Sequence, residues 1–237
     1  MFVIPCKYNP EADFVTPLVE QIRFFHSSEP IVVVDSASEN KSYFNKLKEL
    51  GVIVEDVNNK NWMVGAYWHA FKKYPDEEFY YFLHDSMKVK ANLDYLKKDD
   101  VTLVATFSRE ASPSFNAWNK RIEEETSVNK SFIKRGGRGC YGPIIMCKNK
   151  VFKSFQNKKI DLLLPNNKGE TGILEGAYGL FLEAEGYDLN TCSLYGDILQ
   201  LESPGGKSGV YPHNTSWQHP IEKFYASHIT VGRRWND

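Results

Sequence analysis

"EFYYFLHDSMKV", Glu78 to Val89, is the stretch that decides how the chain folds. From Phe79 to Leu83 it is unbroken aromatic and apolar, as in a strand buried on both faces of a sheet. The run stops at His84-Asp85-Ser86. Open α/β sheets bind ligands just outside the carboxyl ends of their strands. A carboxylate there is a candidate to face a metal ion or the phosphates of a nucleotide. Asp is equally at home as the first residue of a turn. This stretch alone leaves both readings open.

Upstream, Phe2 to Pro5 predicts a first strand. Thr16-Pro17 predicts a helix start, with Thr16 as cap, and Leu18, Ile22 and Phe25 follow at helical spacing. "IVVVDSAS" predicts a second buried strand with Asp35 at its tip. Phe44, Leu47 and Leu50 mark a short helix closed by Gly51, and Val52 to Val57 a third strand. Met63, Tyr67, Ala70, Phe71 and Tyr74 trace a further helix that ends before Pro75. Four strands thus alternate with three helices before Asp85, which predicts an α/β fold with a mostly parallel sheet and crossover helices.

The second half is less regular. "VTLVATFS", Val101 to Ser108, and "PIIMC", Pro143 to Cys147, predict strands, and "YDLNTCSLY" one more. Residues 109 to 139 are polar and glycine-rich near their end, which suggests a mobile excursion. Leu174, Tyr178, Phe181 and Leu182 form a helix face closed by Gly186. The tail from Glu202 is rich in Gly, Pro, His and Trp and resembles a loop that folds over a site. No composition break divides the chain. The expectation is a single domain over 1–237, with a nucleotide-binding half over 1–95 and an acceptor half over 96–237.

Composition narrows the function. The 237 residues are 42% hydrophobic and 25% charged, and Lys+Arg 29 against Asp+Glu 30 leaves a net charge of −1. That is ordinary for a globular protein and argues against a general nucleic-acid coat. No apolar run reaches membrane-spanning length. Met1 leads straight into "FVIPCKYNP" with no basic start, so the expected compartment is cytoplasmic. Cys6, Cys140, Cys147 and Cys192 match no zinc spacing and are expected as reduced thiols.

Three motifs fail on context. Gly137, Gly139 and Gly142 have the spacing of a dinucleotide fingerprint, but Pro143 and an apolar run follow where a helix should open. "PGGKSG" has Leu201 where a phosphate loop wants its first glycine. "KRGGRG" is a single copy in a near-neutral chain.

Five pieces, in order, resemble the GT-A glycosyltransferases, which move a sugar from a nucleotide donor. "VIPCKYN" is similar to that family's opening strand, and "VVVDSAS" to its second, which ends in an Asp that holds the nucleoside. "NWMVGAYWHAF" resembles the helix beside the diphosphate, and "FYYFLHDSM" stands where the family carries its Asp-X-Asp metal motif. "GILEGAYGLFLEAEGYDL" resembles the acceptor-side helix, with Glu175 eleven residues before Gly186, where the catalytic carboxylate commonly stands. The likeness covers residues 1 to 95 well, 136 to 190 more thinly, and the excursion not at all. It departs at the metal motif, where His84 and Ser86 flank a single carboxylate.

The resemblance implies a UDP- or GDP-type nucleotide sugar as donor and a hydroxyl of a glycan or another acceptor. Pro5, Tyr8, Asn9, Asp35 and Ser36 would line the nucleoside pocket. Asn61 and Gly65 would lie beside the diphosphate, with His84, Asp85 and Ser86 at its metal side. A divalent ion, Mn2+ or Mg2+, would sit on Asp85 with a histidine from the tail; His213, His219 and His228 are available, and His228 is favoured. Glu175, with Glu170 as runner-up, would be the general base of an inverting transfer of a hexose or pentose. Arg109, Lys207, Arg233 and Arg234 would add positive charge if loops close, and are otherwise solvated. The rival readings are a sugar nucleotidyltransferase, a non-catalytic sugar- or nucleotide-binding module, and an RNA-binding protein using the basic excursion.

Overall fold

The structure is a computed structural model that describes residues 1–59, 61–111, 115–133, 136–167, 170–197, 210–211 and 220–224. The chain forms two compact units: Met1–Lys97 together with Glu202–Asp237, and Lys98–Leu201.

In the first unit β1 (Phe2–Cys6), β2 (Ile31–Ser36), β3 (Ile53–Val57) and β4 (Phe79–Phe82) are parallel, in the order β3-β2-β1-β4. This is the mostly parallel sheet that the alternation predicts. Every residue of β1, β2 and β4 is buried, as their apolar runs require. β3 lies at the end of this order and carries Glu55 and Asp56, charges that suit an edge strand. After Asp85 a short strand β5 (Met87–Val89) pairs antiparallel with Ile221–Phe224 from the tail. The tail, expected as loop, therefore contributes a strand.

The crossover helices are α1 (Val15–Phe25), α2 (Tyr43–Glu49) and α3 (Trp62–Lys73). α1 starts before the expected Thr16 cap. Thr16 is buried in the first turn, and Asp13 accepts its backbone N–H at 3.0 Å. Gly51 closes α2 with φ +69°, as expected, and Arg23 holds that end by donating to the carbonyls of Leu50 (2.8 Å) and Gly51 (2.7 Å). The face of α2 is shifted by one residue from the expected one: Tyr43 and Leu47 are buried, four apart.

In the second unit "VTLVATFS" is two strands rather than one. β6 (Val101–Leu103) and β7 (Thr106–Ser108) take different partners: Ala105 turns aside to accept from the Tyr141 N–H, at 2.9 Å. β7 pairs with β8 (Arg138–Cys140), and β6 with β9 (Ile145–Lys148), both antiparallel. "YDLNTCSLY" forms turns and one isolated bridge, Leu103 to Ser193, in place of a strand.

The segment 109–139, expected as a mobile excursion, contains α4 (Phe115–Glu125), α5 (Lys130–Ile133) and β8. Trp118 and Ile122, four apart, and Ile133 are buried. Arg109, expected to be solvated, is fully buried; it donates to the Gly136 carbonyl (2.8 Å) and Asn119 Oδ1 (2.5 Å) and lies 5.3 Å from the Phe115 ring centre. Burial pulls its guanidinium down to about 10, so it stays charged at neutral pH. α6 (Asn149–Asn157) and α7 (Ile173–Ala184) complete the unit. No helix among the described residues is long and apolar enough to cross a membrane.

One glycine of the false dinucleotide fingerprint, Gly139, has a packing role. α7 lies flush on β8 at Gly179 and Gly139. A β-carbon on Gly179 would overlap the Arg138 carbonyl and stand 2.7 Å from the Gly139 α-carbon. Gly179→Ala gains about 1 kcal/mol of helix propensity but must push backbone from backbone, an overpacking cost of up to about 3 kcal/mol. A net loss of about 2 kcal/mol is expected in urea unfolding; equal stability would show that the two elements separate freely.

His26 supplies a pH prediction. It is buried, and its Nε2 accepts the Leu93 N–H at 3.0 Å, so the folded state favours the neutral ring. Burial lowers its affinity for a proton against the opposing pull of Asp94 and Glu29. The contribution is complete above the ordinary histidine pKa, about 6.5, and is lost as pH falls through the lower folded value. Urea melts should weaken between pH 7.5 and 5.5 by about 1 kcal/mol, one hydrogen bond's worth. His26→Gln, whose amide oxygen can accept the same bond without titrating, should flatten that slope.

Candidate functional site

The carboxyl edge of the first unit gathers the sequence's donor-side candidates. Register pairs Pro5 with Val34 and Cys6 with Asp35. On the other flank Val3 pairs with Phe82, and Leu83 N–H still bonds the Val3 carbonyl at 3.1 Å. His84 and Asp85 therefore leave the sheet beside the end of β1. Asp35 and Asp85 flank that end from opposite sides. The strand order reverses direction here: β1 leads outward through β2 to β3, and β4 returns to its other side. That reversal is a topological switch point, where open sheets hold ligands.

Asp35 is fully buried. Its Oδ1 accepts the Ser38 N–H at 3.0 Å and its Oδ2 accepts the Tyr43 hydroxyl at 2.5 Å. Ser38 Oγ in turn accepts the Tyr8 N–H at 2.7 Å, and the Tyr8 ring stacks on Tyr43 with centres 4.1 Å apart and planes at 14°. Between these groups Ala37 stands at φ +58°, the left-handed region. Pro5 is buried within β1. Asn9 does local work, its side chain accepting the Glu11 N–H at the start of a short turn.

Across β2 a second bracket forms around Asn59, which the sequence reading passed over. Its amide donates to Ser36 Oγ (3.0 Å) and the Trp62 carbonyl (2.6 Å), while its Oδ1 accepts the Asn61 N–H (2.9 Å). Asn61 holds the N-cap position of α3 without a side-chain cap bond, and its carbonyl accepts the Gly65 N–H at 3.0 Å. Asn59 thus ties the tip of β2 to the amino end of α3. Gly65 allows this: a β-carbon there would overlap Asn59 Oδ1 and stand 2.7 Å from the Asn61 β-carbon.

At the Asp85 corner, His84 and Asp85 are buried and Ser86 is half-buried. Tyr67 from α3 donates its hydroxyl to the Leu83 carbonyl at 3.1 Å, and the His84 N–H points at Met87 Sδ, 3.2 Å away. Asp85 is in a turn just past the carboxyl end of β4, as the plain reading of the sequence had it. Among the described residues no group of three or more His, Cys, Asp or Glu is arranged to hold a metal ion. His213, His219 and His228, with Lys207, Arg233 and Arg234, lie outside the described residues.

In the second unit, Glu175 is in the first turn of α7 and half-buried. Burial, and then the Glu175 charge, raise the Tyr141 phenol. Glu170 is a bridge: it accepts from Arg121 Nη1 (2.7 Å), the Asn166 N–H (3.0 Å) and side chain (3.1 Å), and Asn167 Nδ2 (3.1 Å). Arg121 also forks onto Glu125 at 2.7 and 2.8 Å. Glu170 holds α4 against the segment that precedes α7.

No family model matches the chain, and no curated protein matches it. Among solved structures it is similar to S. aureus TarS 1–349 in complex with UDP, at TM-score 0.46 and 15% identity over 73% of this chain and 53% of that one. It is also similar to core-mannan synthase A from Aspergillus fumigatus in its Mn/GDP form, at TM-score 0.48 and 9% identity over 81% of this chain and 71% of that one. The chain spans about half the length of TarS 1–349. Likeness this distant carries no argument about what the present chain does.

Gly65→Ala tests the Asn59 bracket. The new methyl must displace an amide that makes three hydrogen bonds. A loss of about 2 kcal/mol is expected from such overpacking, read as a lower thermal midpoint. An unchanged midpoint would mean that Asn59 has another rotamer as good as this one.

Proposed function

We propose that the chain is a glycosyltransferase that takes a UDP- or GDP-type sugar donor and transfers the sugar to a hydroxyl of a glycan or another acceptor. One observation carries the proposal: Asp35 and Asp85 flank the carboxyl end of β1 at the switch point of a parallel sheet. Pro5, Tyr8, Asn9, Asp35 and Ser36 would form the nucleoside side, with Asp35 acting chiefly by ordering its neighbours. Asn61 and Gly65, at the amino end of the twelve-residue α3, would lie beside the diphosphate, where the helix dipole favours negative charge.

In the transfer, the acceptor oxygen forms its bond to the anomeric carbon as the bond from that carbon to the diphosphate oxygen breaks. The nucleoside diphosphate departs with the electron pair, and the acceptor proton goes to a carboxylate. Glu175 would be that base, on its spacing to Gly186. An inverting outcome follows from a single in-line displacement. Mn2+ or Mg2+ on Asp85 and His228 belongs to the same proposal. Magnesium that arrives with a diphosphate takes one or two protein carboxylates. The strand Ile221–Phe224 runs antiparallel along β5 toward the Asp85 turn, which supports a search for the second ligand in this tail.

That His84-Asp85-Ser86 offers a single carboxylate favours one competing reading, a nucleotide- or sugar-binding module without catalysis. A thermal-shift panel of nucleotides and nucleotide sugars, with and without manganese, tests the donor site: UDP or GDP should raise the midpoint by mass action, and Asp85→Asn should reduce the shift. No shift with any nucleotide would remove the proposal. Glu175→Gln should lower turnover by about 10²- to 10⁴-fold, the span of general-base effects, with donor affinity unchanged. Full transfer by that variant would take Glu175 out of the base role, and donor binding with no transfer by the parent would favour the binding module.

A further inference from the structure

We infer that Tyr43 is a positioning residue of the nucleoside site, which holds the Tyr8 ring as a platform for the base and fixes Asp35 behind it; this rests on the nucleotide-donor reading. Tyr43 opens α2 and is buried. It acts on the site twice. Its ring backs Tyr8 at 4.1 Å and 14°, and its hydroxyl donates to Asp35 Oδ2 at 2.5 Å. Asp35 Oδ1 holds Ser38, and Ser38 Oγ holds the Tyr8 N–H. The ring and the backbone of Tyr8 are therefore held by one closed circuit that returns to Tyr43.

Burial, the neighbouring Cys6 and the Asp35 carboxylate all raise the Tyr43 phenol, so its hydroxyl stays a hydrogen-bond donor. One feature separates this from ordinary core packing. Tyr8 is only half-buried, with one face of its ring on Tyr43. A planar ligand would meet the face of the ring that Tyr43 does not cover, and aromatic rings stack on bases of any sequence. A platform already ordered avoids immobilising a side chain at the moment of binding. Tyr43 need not touch the ligand to set its affinity.

The test is a double-mutant cycle on the full chain, with the Kd of UDP and GDP measured by calorimetry for the parent, Tyr43→Leu, Tyr8→Ala and the pair. Tyr43→Leu should weaken the better ligand about tenfold, equivalent to about 1.4 kcal/mol, and should add little once Tyr8 is gone. Tyr43→Phe, which keeps the ring, should recover most of that loss and stay a few-fold weaker than the parent. An equal penalty with and without Tyr8, or no penalty, overturns the positioning role while the donor reading stands. If Tyr43→Leu does not fold, Tyr43→Phe decides: affinity equal to the parent's overturns the role. Failure of the parent to bind either nucleotide overturns the donor reading, and this inference with it.

Discussion

One buried carboxylate organises the carboxyl edge of the first unit. Asp35 is out of contact with water, and a buried charge persists only when hydrogen bonds replace its lost hydration. The Ser38 amide and the Tyr43 hydroxyl supply those bonds. In doing so they dictate where the chain goes after β2. Ala37 is forced into the left-handed region, which costs a residue with a β-carbon about 1–2 kcal/mol. The conformation holds because the surroundings over-determine it.

The same need for partners explains the rest of that edge. Asn59 satisfies groups on both sides of itself, and the absence of a side chain at Gly65 lets it come close. Tyr67 ties α3 to the residue that precedes the His84-Asp85 turn. Three strand tips and the start of one helix are therefore fixed by side-chain brackets before any ligand arrives. A site ordered in advance spends less of its binding energy on ordering itself.

In the second unit the ordering groups are glycines and an arginine. Gly139 and Gly179 let a helix lie directly on a strand. Arg109 is buried with two hydrogen bonds and an aromatic face, and it anchors a segment whose composition alone suggests mobility. Hydrophobic spacing in this segment was visible in retrospect: Trp118 and Ile122 are one helical turn apart. The surrounding Lys, Arg and Glu outnumber them and mask the period.

By itself the sequence determined the parallel alternation of the first unit, the burial of β1, β2 and β4, the helix closed at Gly51 and the placement of Asp35 and Asp85 at strand tips. These follow from hydrophobic period and from turn chemistry, which act between near neighbours in the chain. Only the tertiary structure decided what the polar groups do. That Asp35 is spent on Ser38 and Tyr43, that Glu170 answers Arg121 forty-nine residues away, that Arg109 is core rather than surface, and that Val101 to Ser108 serves two pairings are all assignments of partners. A hydrogen bond is chosen by distance and angle in space, and no periodicity in the chain records that choice.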